Sequence, residues 1–210
     1  AATYSATQIG TNLYRLGFTV DGNTSGVSNL DPATVRPFHD YQDGNVGNRF
    51  INFEFSKPET FLSLYLYRVV FSGTMPDTFD KFVNFETLII IHTYEITNLP
   101  VNLAVRTKVI SLSNALANKV NEIPISYFDT ELENIDLRGV INASDPYSSN
   151  LFLINQLKDT LTQLLLSSCD VGYLPESFEE LYMLERLDLT DSKFEVIPNE
   201  ISELVSLDRL

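Results

Sequence analysis

The stretch that decides the fold is LERLDLTDSKFEVIPNEISELVSLDRL, residues 184–210. Its apolar residues keep a fixed spacing: Leu184, Leu187, Leu189, Phe194, Ile197 (followed by Pro198), Ile201 and Leu204. The same pattern begins again at Leu207 and Leu210, after about 23 residues. A unit this short cannot enclose its own apolar residues, so it must stack on copies of itself. The stretch therefore predicts a solenoid of repeats.

Upstream residues follow the same spacing. Copies begin at Phe61, Phe85, Thr107, Leu132, Leu161 and Leu184, at intervals of 24, 22, 25, 29 and 23 residues. The copies that start at Phe61, Leu161 and Leu184 are the clearest, and those between them are weaker. The copy from Leu132 is enlarged by the polar segment Asn142–Asn150. This spacing predicts six repeats, the last of them incomplete.

Each copy combines two local patterns. The alternation Leu187-Asp188-Leu189 is typical of a half-buried strand, because side chains alternate across a strand. Pro175 and Pro198 each preset the backbone for a helical or 3₁₀ turn. The strand and the returning segment are both expected to contribute to one continuous core.

The pattern LxxLxLxx(N/C)x(L/V), followed by (L/I)P, resembles that of leucine-rich repeat proteins over residues 61–210. The resemblance implies an α/β right-handed horseshoe, with short parallel strands on the concave side and turns or brief helices on the convex side. In that family an Asn side chain bonds backbone groups at the bend after each strand. The residues here at that position are Val69, Thr93, Ala115, Val140, Cys169 and Ser192. Val and Ala carry no polar side-chain atom, so the first copies are predicted to wind irregularly.

Residues 1–60 lie outside the repeat register and are predicted to form a small β-rich module or cap. Two stretches alternate as strands, Asn12–Val20 and Arg49–Phe55. The division predicted is therefore residues 1–60 and residues 61–210. Because Leu210 falls inside an unfinished repeat, and a solenoid needs a polar terminal cap, more repeats or another domain are expected after it.

Composition narrows the class of protein. A net charge of −14, without a Lys/Arg cluster, argues against nucleic acid as a partner. No apolar run approaches the roughly 20 residues of a membrane-spanning helix. A single cysteine, Cys169, excludes intrachain disulfides and argues against the animal extracellular class with cysteine-rich caps. A bacterial, viral or intracellular type without cysteine caps fits better. The Asn, Ser and Thr content and the acidic charge suit a bacterial surface or virus-particle protein, extracellular or on a cell or virion surface, and a cytoplasmic location stays open.

The candidate binding residues lie on the strand face directed away from the core. Its early rows are unexpectedly apolar, and its later rows are polar: Tyr65, Tyr67, Arg68, Ile89, Ile91 and His92, then Glu185, Arg186 and Asp188. Exposed apolar area flanked by arginine is typical of interaction sites. The alternatives are that residues 1–60 cover the apolar rows and that the polar rows are a solvated face. The segment Asn142–Asn150 either projects toward a ligand or is a tolerated insertion.

The sequence predicts no catalysis. His39 and His92 are the only histidines, and no nucleophile, phosphate-binding loop or set of metal ligands stands at a recognisable spacing. No cofactor or metal is predicted. The favoured hypothesis is a recognition module that binds a protein, or a glycan, in adhesion or receptor binding. The alternative is a structural component of a larger assembly, such as a virion, in which the solenoid is a spacer.

Overall fold

The computed structural model describes five early strands by their backbone and, with side chains, residues 83–91, 98–116, 118–194 and 196–210. The strands are β1 (Ala2–Gly10), β2 (Leu13–Val20), β3 (Gly26–Leu30), β4 (Arg49–Ser56), β5 (Phe61–Tyr67), β6 (Thr87–Ile91), β7 (Val109–Ser111), β8 (Asn134–Asp136), β9 (Gln163–Leu165) and β10 (Arg186–Asp188).

One parallel sheet carries all six repeats. Strands β5 to β10 pair in chain order, each with the next, and an isolated bridge from Arg186 to Arg209 continues the ladder. The register brings one apolar residue from each repeat into a single row: Leu64, Leu88, Ile110, Ile135, Leu164 and Leu187. The predicted repeat spacing and strand positions are therefore confirmed.

The core runs along the inner side of this sheet. The row from Leu88 to Leu187 is at most 3% exposed, and the next inward row, which includes Ile90, Leu137 and Leu166, is equally buried. Short 3₁₀ helices close the repeats on the other side: Ile125–Phe128, Leu151–Leu157, Glu176–Glu180 and Asn199–Glu203. Three of them directly follow a proline of the repeat pattern. The strands and the helices thus share one interior, as predicted.

The bend after β7, β8, β9 and β10 is regular although it lacks the family's asparagine. The backbone N–H at that position bonds the carbonyl three residues earlier in four successive copies, from Ala115, Val140, Cys169 and Ser192, at 3.0–3.1 Å. The backbone closes the bend without an asparagine, and Val140 and Cys169 are fully buried. At Cys169 the side chain adds a hydrogen bond, from Sγ to the Leu137 carbonyl. The prediction of irregular winding is wrong at Ala115 and Val140. Val69 and Thr93 lie outside the described residues.

The first sixty residues contain the two predicted strands. Strand β2 pairs with β1 in antiparallel and with β4 in parallel orientation, which forms a three-stranded sheet. Strand β3 instead pairs in parallel with β5 and so extends the repeat sheet to seven strands. The division at residue 60 stays a prediction.

Ile197 departs from its predicted place in the core. The equivalent residues Leu99, Ile123 and Leu174 are 3–4% exposed, because the following repeat covers each of them. Ile197 is 75% exposed and its neighbour Val196 is 77% exposed. They belong to the last layer of the described chain, where no later layer packs on them.

Candidate functional site

The outer face of the repeat sheet begins with an apolar region. Ile89 and Ile91 on β6 point away from the core and are half-buried, while Leu88 and Ile90 between them are fully buried. The register sets Tyr65 opposite Ile89 and Tyr67 opposite Ile91. The side chains of both tyrosines, together with Arg68 and His92, lie outside the described residues. The side chains of residues 1–60, which would cover this region in the alternative interpretation, also lie outside the described residues.

The middle of the face is an ordered polar network. Asp136, only 9% exposed, accepts two hydrogen bonds from the Arg138 guanidinium, at 2.8 Å from Nε and 2.7 Å from Nη2. Ser111 Oγ donates a third, at 3.0 Å. The hydrogen bond to Asp136 is the main cause that raises the pKa of Arg138, and the charges of Asp136 and Asp188 add to it. The Asp136 carboxylate and the Arg138 guanidinium are therefore held in a fixed geometry.

Leu165 corrects the prediction that every outer position of the strands faces solvent. It lies in register between Asp136 and Asp188, yet it is only 4% exposed. The Arg138 guanidinium is hydrogen-bonded to Asp136 on β8, and the charge of Asp188 on β10 also raises its pKa. Leu165 is therefore a buried apolar residue between two strands that carry charged groups.

The predicted binding residues of the last repeat lie on β10, Arg186–Asp188, or directly before it. Arg186 Nη1 lies 3.5 Å from Gln163 Oε1, and Asp188 accepts a 3.0 Å hydrogen bond from the Thr190 backbone. Burial alone would raise the pKa of Asp188, but hydrogen bonds from Thr190 and Ser167 and the charge of Arg138 outweigh it, and the pKa is lowered. A recess of about 190 Å³ is lined by Asn134, Thr162, Gln163, Glu185, Arg186, Asp208 and Arg209. Glu185, Arg186 and Asp188 thus lie close together on the face.

Sequence reasoning placed Ser111, Asp136 and Arg138 in the outer rows but did not select them as candidates. A usable signal existed, since Asp136 and Arg138 are two residues apart and lie on one face of an extended segment. The pairing with Ser111 depends on the register of β7 and β8, which the sequence indicated only through weak copies.

No catalytic constellation emerges among the residues that the structure describes. Within them, no group of three or more His, Cys, Asp or Glu side chains could hold a metal ion. Burial raises the pKa of the Cys169 thiol, which opposes formation of a nucleophilic thiolate. His39 and His92 lie outside the described residues. In the described part of the chain there is also no helix of the length and apolarity required to cross a bilayer.

Comparison with known proteins rests on structure. No protein-family model matches the chain, and no curated protein matches its sequence. A leucine-rich repeat protein of Leptospira interrogans superimposes with a TM-score of 0.57 at 24% identity, over 77% of this chain and 40% of that one. The plant peptide hormone receptor RGFR1, in complex with RGF2, gives a TM-score of 0.50 at 21% identity, over 72% and 28%. The PEPR1–AtPEP1 complex gives 0.50 at 18%, over 77% and 27%.

These similarities concern the fold, and the chain spans less than half the length of each of these proteins. They agree with the single row of repeat leucines, the parallel sheet and the 3₁₀ helices that follow prolines. The chain therefore has the fold of the leucine-rich repeat proteins.

Proposed function

We propose that this chain is a non-catalytic binding module that contacts a protein partner through the outer face of its parallel sheet. The observation that carries the proposal is the pair Ile89 and Ile91, which remain partly exposed on a face where polar residues are usual. Apolar side chains that remain partly open beside ordered polar groups are typical of the centre of an interface.

The polar network gives this face a second property that suits recognition. Ser111, which belongs to the network, is the register partner of Ile89, so the apolar and polar regions adjoin. Arg138 is already fixed by Asp136, so little side-chain entropy is lost when a partner contacts it. A partner that places an apolar side chain near Ile89 can therefore form hydrogen bonds one or two strands away.

The proposed setting is adhesion or receptor binding at the surface of a cell or particle. Two of the proteins of similar fold are complexes named for a peptide hormone receptor and for PEPR1 with AtPEP1. Their identity to this chain is low, so they support a class of function and no particular ligand. Antibody staining of intact, unpermeabilised cells that make the protein would test the proposed location.

The binding proposal is tested with a random peptide library displayed on phage and selected on the whole chain. The double variant Ile89→Ser, Ile91→Ser should weaken the selected peptides by at least about fivefold, as expected for interface residues of this kind. Val105→Ser is the matched control, since Val105 is 61% exposed at another place. Undiminished binding to the double variant would contradict the proposal.

The same variants test whether the first sixty residues cover the apolar rows. A covered patch contributes to folding, so the double variant would then lower the melting temperature clearly, while Val105→Ser would not. An open patch leaves the melting temperature of both variants close to that of the parent chain. Binding and melting measured together distinguish an interface from an internal contact.

A further inference from the structure

The enlarged turn of the fourth repeat does not project from the solenoid. Ser149, at its end, is fully buried, and its backbone carbonyl accepts a 3.0 Å hydrogen bond from the Ile123 N–H. Asn150 Nδ2 donates to the Ile123 carbonyl at 3.0 Å. These bonds fix the insertion against the preceding repeat. The tip of the turn, Asp145–Ser148, is therefore presented in a defined position on the flank.

Aromatic side chains from two repeats converge on this tip. Tyr147 is 66% exposed, and its ring leans on Phe152 with centroids 5.5 Å apart and planes tilted by 32°. Tyr173, from the next repeat, is 46% exposed and donates its hydroxyl to Asp145 Oδ1 at 3.2 Å. The pKa of Tyr173 is raised by burial, by this bond and by the charges of Asp145 and Tyr147.

Asp145 holds a negative charge that contacts both tyrosine residues, at the Tyr147 backbone and at the Tyr173 hydroxyl. It accepts hydrogen bonds from Ser148 Oγ at 2.5 Å, from the Tyr147 N–H at 3.0 Å and from Tyr173. The bond from Ser148 is the largest of the causes that lower the pKa of Asp145, so the carboxylate stays ionised at neutral pH. All of these donors are neutral. The hydrogen bonds position the charge without compensating it.

Two lysines of this part of the solenoid are paired with another carboxylate. Lys119 and Lys193 both contact Asp170, at 3.0 and 3.5 Å. Among the ion pairs of the described residues, none involves Asp145. A chain with a net charge of −14 also attracts cationic partners over a distance. An open aromatic ring beside an uncompensated carboxylate is complementary to a flat cation, because a guanidinium stacks on the ring while the carboxylate attracts it.

We propose that Tyr147, Tyr173 and Asp145 form a second contact site, on the flank of the solenoid, which takes an arginine side chain of the protein partner. This site rests on the proposed binding function and adds a contact outside the sheet face. The guanidinium lies on the open face of Tyr147 and its charge faces Asp145. Phe152 supports the other face of the Tyr147 ring.

The test uses the same random peptide library, selected on the whole chain and on the double variant Tyr147→Ala, Tyr173→Ala. Peptides that depend on the site should be enriched in arginine and should bind the double variant about three- to tenfold more weakly, the scale of an exposed cation–π contact with a nearby charge. Replacing the arginine of such a peptide by citrulline, which keeps the shape and removes the charge, should cause a similar loss.

Tyr182→Ala is the matched control, because Tyr182 is 44% exposed and also hydrogen-bonded to an aspartate, Asp159. It should leave the arginine peptides unaffected. Circular dichroism of each variant reports whether the repeats remain folded. If none of the arginine-containing binders is sensitive to the double variant and to citrulline, the flank site alone is overturned. A selection that yields no binder overturns the proposed function and the flank site with it.

Discussion

Four residues at the same place in four successive repeats have a left-handed backbone. Asn114, Gly139, Ser168 and Asp191 have φ between 51° and 70° and directly precede the bend after each strand. This conformation is costly for most L-residues and least so for Gly, Asn and Asp. The sequence carries one of these types at the eighth position of three of the four copies, and Ser168 is the exception. That signal was available, but it is invisible to reasoning based on apolar spacing alone.

Gly139→Ala tests this requirement. An added Cβ would lie 2.7 Å from Asn114 Oδ1, on a backbone with φ of 70°. We expect the free energy of unfolding to fall by about 1–2 kcal/mol from the left-handed conformation alone. Urea denaturation followed by circular dichroism measures it. Gly172→Ala is the control, since its nearest contact would be an ordinary 3.7 Å to the Ser144 carbonyl. Equal effects at the two glycines would refute the argument.

Tyr127 links stability to alkaline pH. Its side chain is fully buried, its hydroxyl donates to the Pro100 carbonyl at 2.9 Å, and burial raises its pKa well above the ordinary value. The folded state therefore favours the neutral phenol. Its contribution is complete below the unfolded pKa of about 10 and is lost as the pH rises toward the folded value.

Tyr127→Phe should consequently have two effects. At pH 7 the loss of the hydrogen bond to Pro100 lowers the free energy of unfolding by roughly 1 kcal/mol. Above about pH 10 the parent chain should lose stability more steeply than the variant. Only the parent has a phenol that stays neutral while buried and loses its proton once the chain unfolds. Denaturant titrations at several pH values measure both. Parallel curves for parent and variant would count against this role.

At the scale of one strand, the pair Asp136 and Arg138 gives a further prediction. Arg138→Ala removes two hydrogen bonds from a carboxylate that is only 9% exposed. We expect a loss of about 1–3 kcal/mol, as for charged hydrogen bonds at partly buried sites. Thermal and urea unfolding measure this loss.

Lys108→Ala is the matched control for Arg138→Ala. Lys108 and Glu133 form an ion pair at 3.2 Å, but both side chains are about half exposed. Solvent weakens such a pair, so the change should cost at most about 1 kcal/mol. If both variants lost the same stability, Asp136 would not depend on its arginine in the way proposed.

Some of the secondary-structure elements could be predicted from the sequence, and some of their details could not. Strands β6 to β10 were predictable because the alternation of apolar and polar residues survives even in the weak copies. Pro124, Pro175 and Pro198 each directly precede a 3₁₀ helix. The burial of Leu165 was not predictable, because Leu165 stands at an outer position of the alternation and its neighbours in the sheet, Asp136 and Asp188, lie 29 and 23 residues away in sequence. The bend at Ala115 was also missed, since its hydrogen bond involves only backbone atoms.

The candidate site follows the same division. The sequence identified the outward direction of Ile89 and Ile91 and the proximity of Arg186 to Asp188, both of which follow from alternation. It missed the flank residues Tyr147 and Tyr173, whose proximity depends on the folding of the insertion. Contacts between an insertion and the next repeat carry no periodic signal.

In the whole molecule, each repeat is stabilised by contacts with the repeats next to it. Leu164 lies in the middle of the leucine row, 1% exposed, between Ile135 and Leu187. Leu164→Ala should lower the free energy of unfolding by about 2–5 kcal/mol, as for buried leucines in general. Hydrogen exchange should accelerate most in β8, β9 and β10, because contacts in a solenoid are local.

Leu207→Ala is the control near the end of the described repeats, where the side chain is only partly buried. Its effect should be smaller and confined to the last repeat. A uniform increase in exchange along the chain after Leu164→Ala would contradict local coupling and indicate one cooperative unit.

The thiol of Cys169 can be used to measure how fast two neighbouring repeats separate. The single thiol is fully buried, and its Sγ donates to the Leu137 carbonyl of the preceding repeat at 3.1 Å. A thiol reagent can reach it only when the fourth and fifth repeats part. The rate of its modification therefore measures the opening of that one junction, whereas a signal from all the tyrosines measures the unfolding of the whole chain.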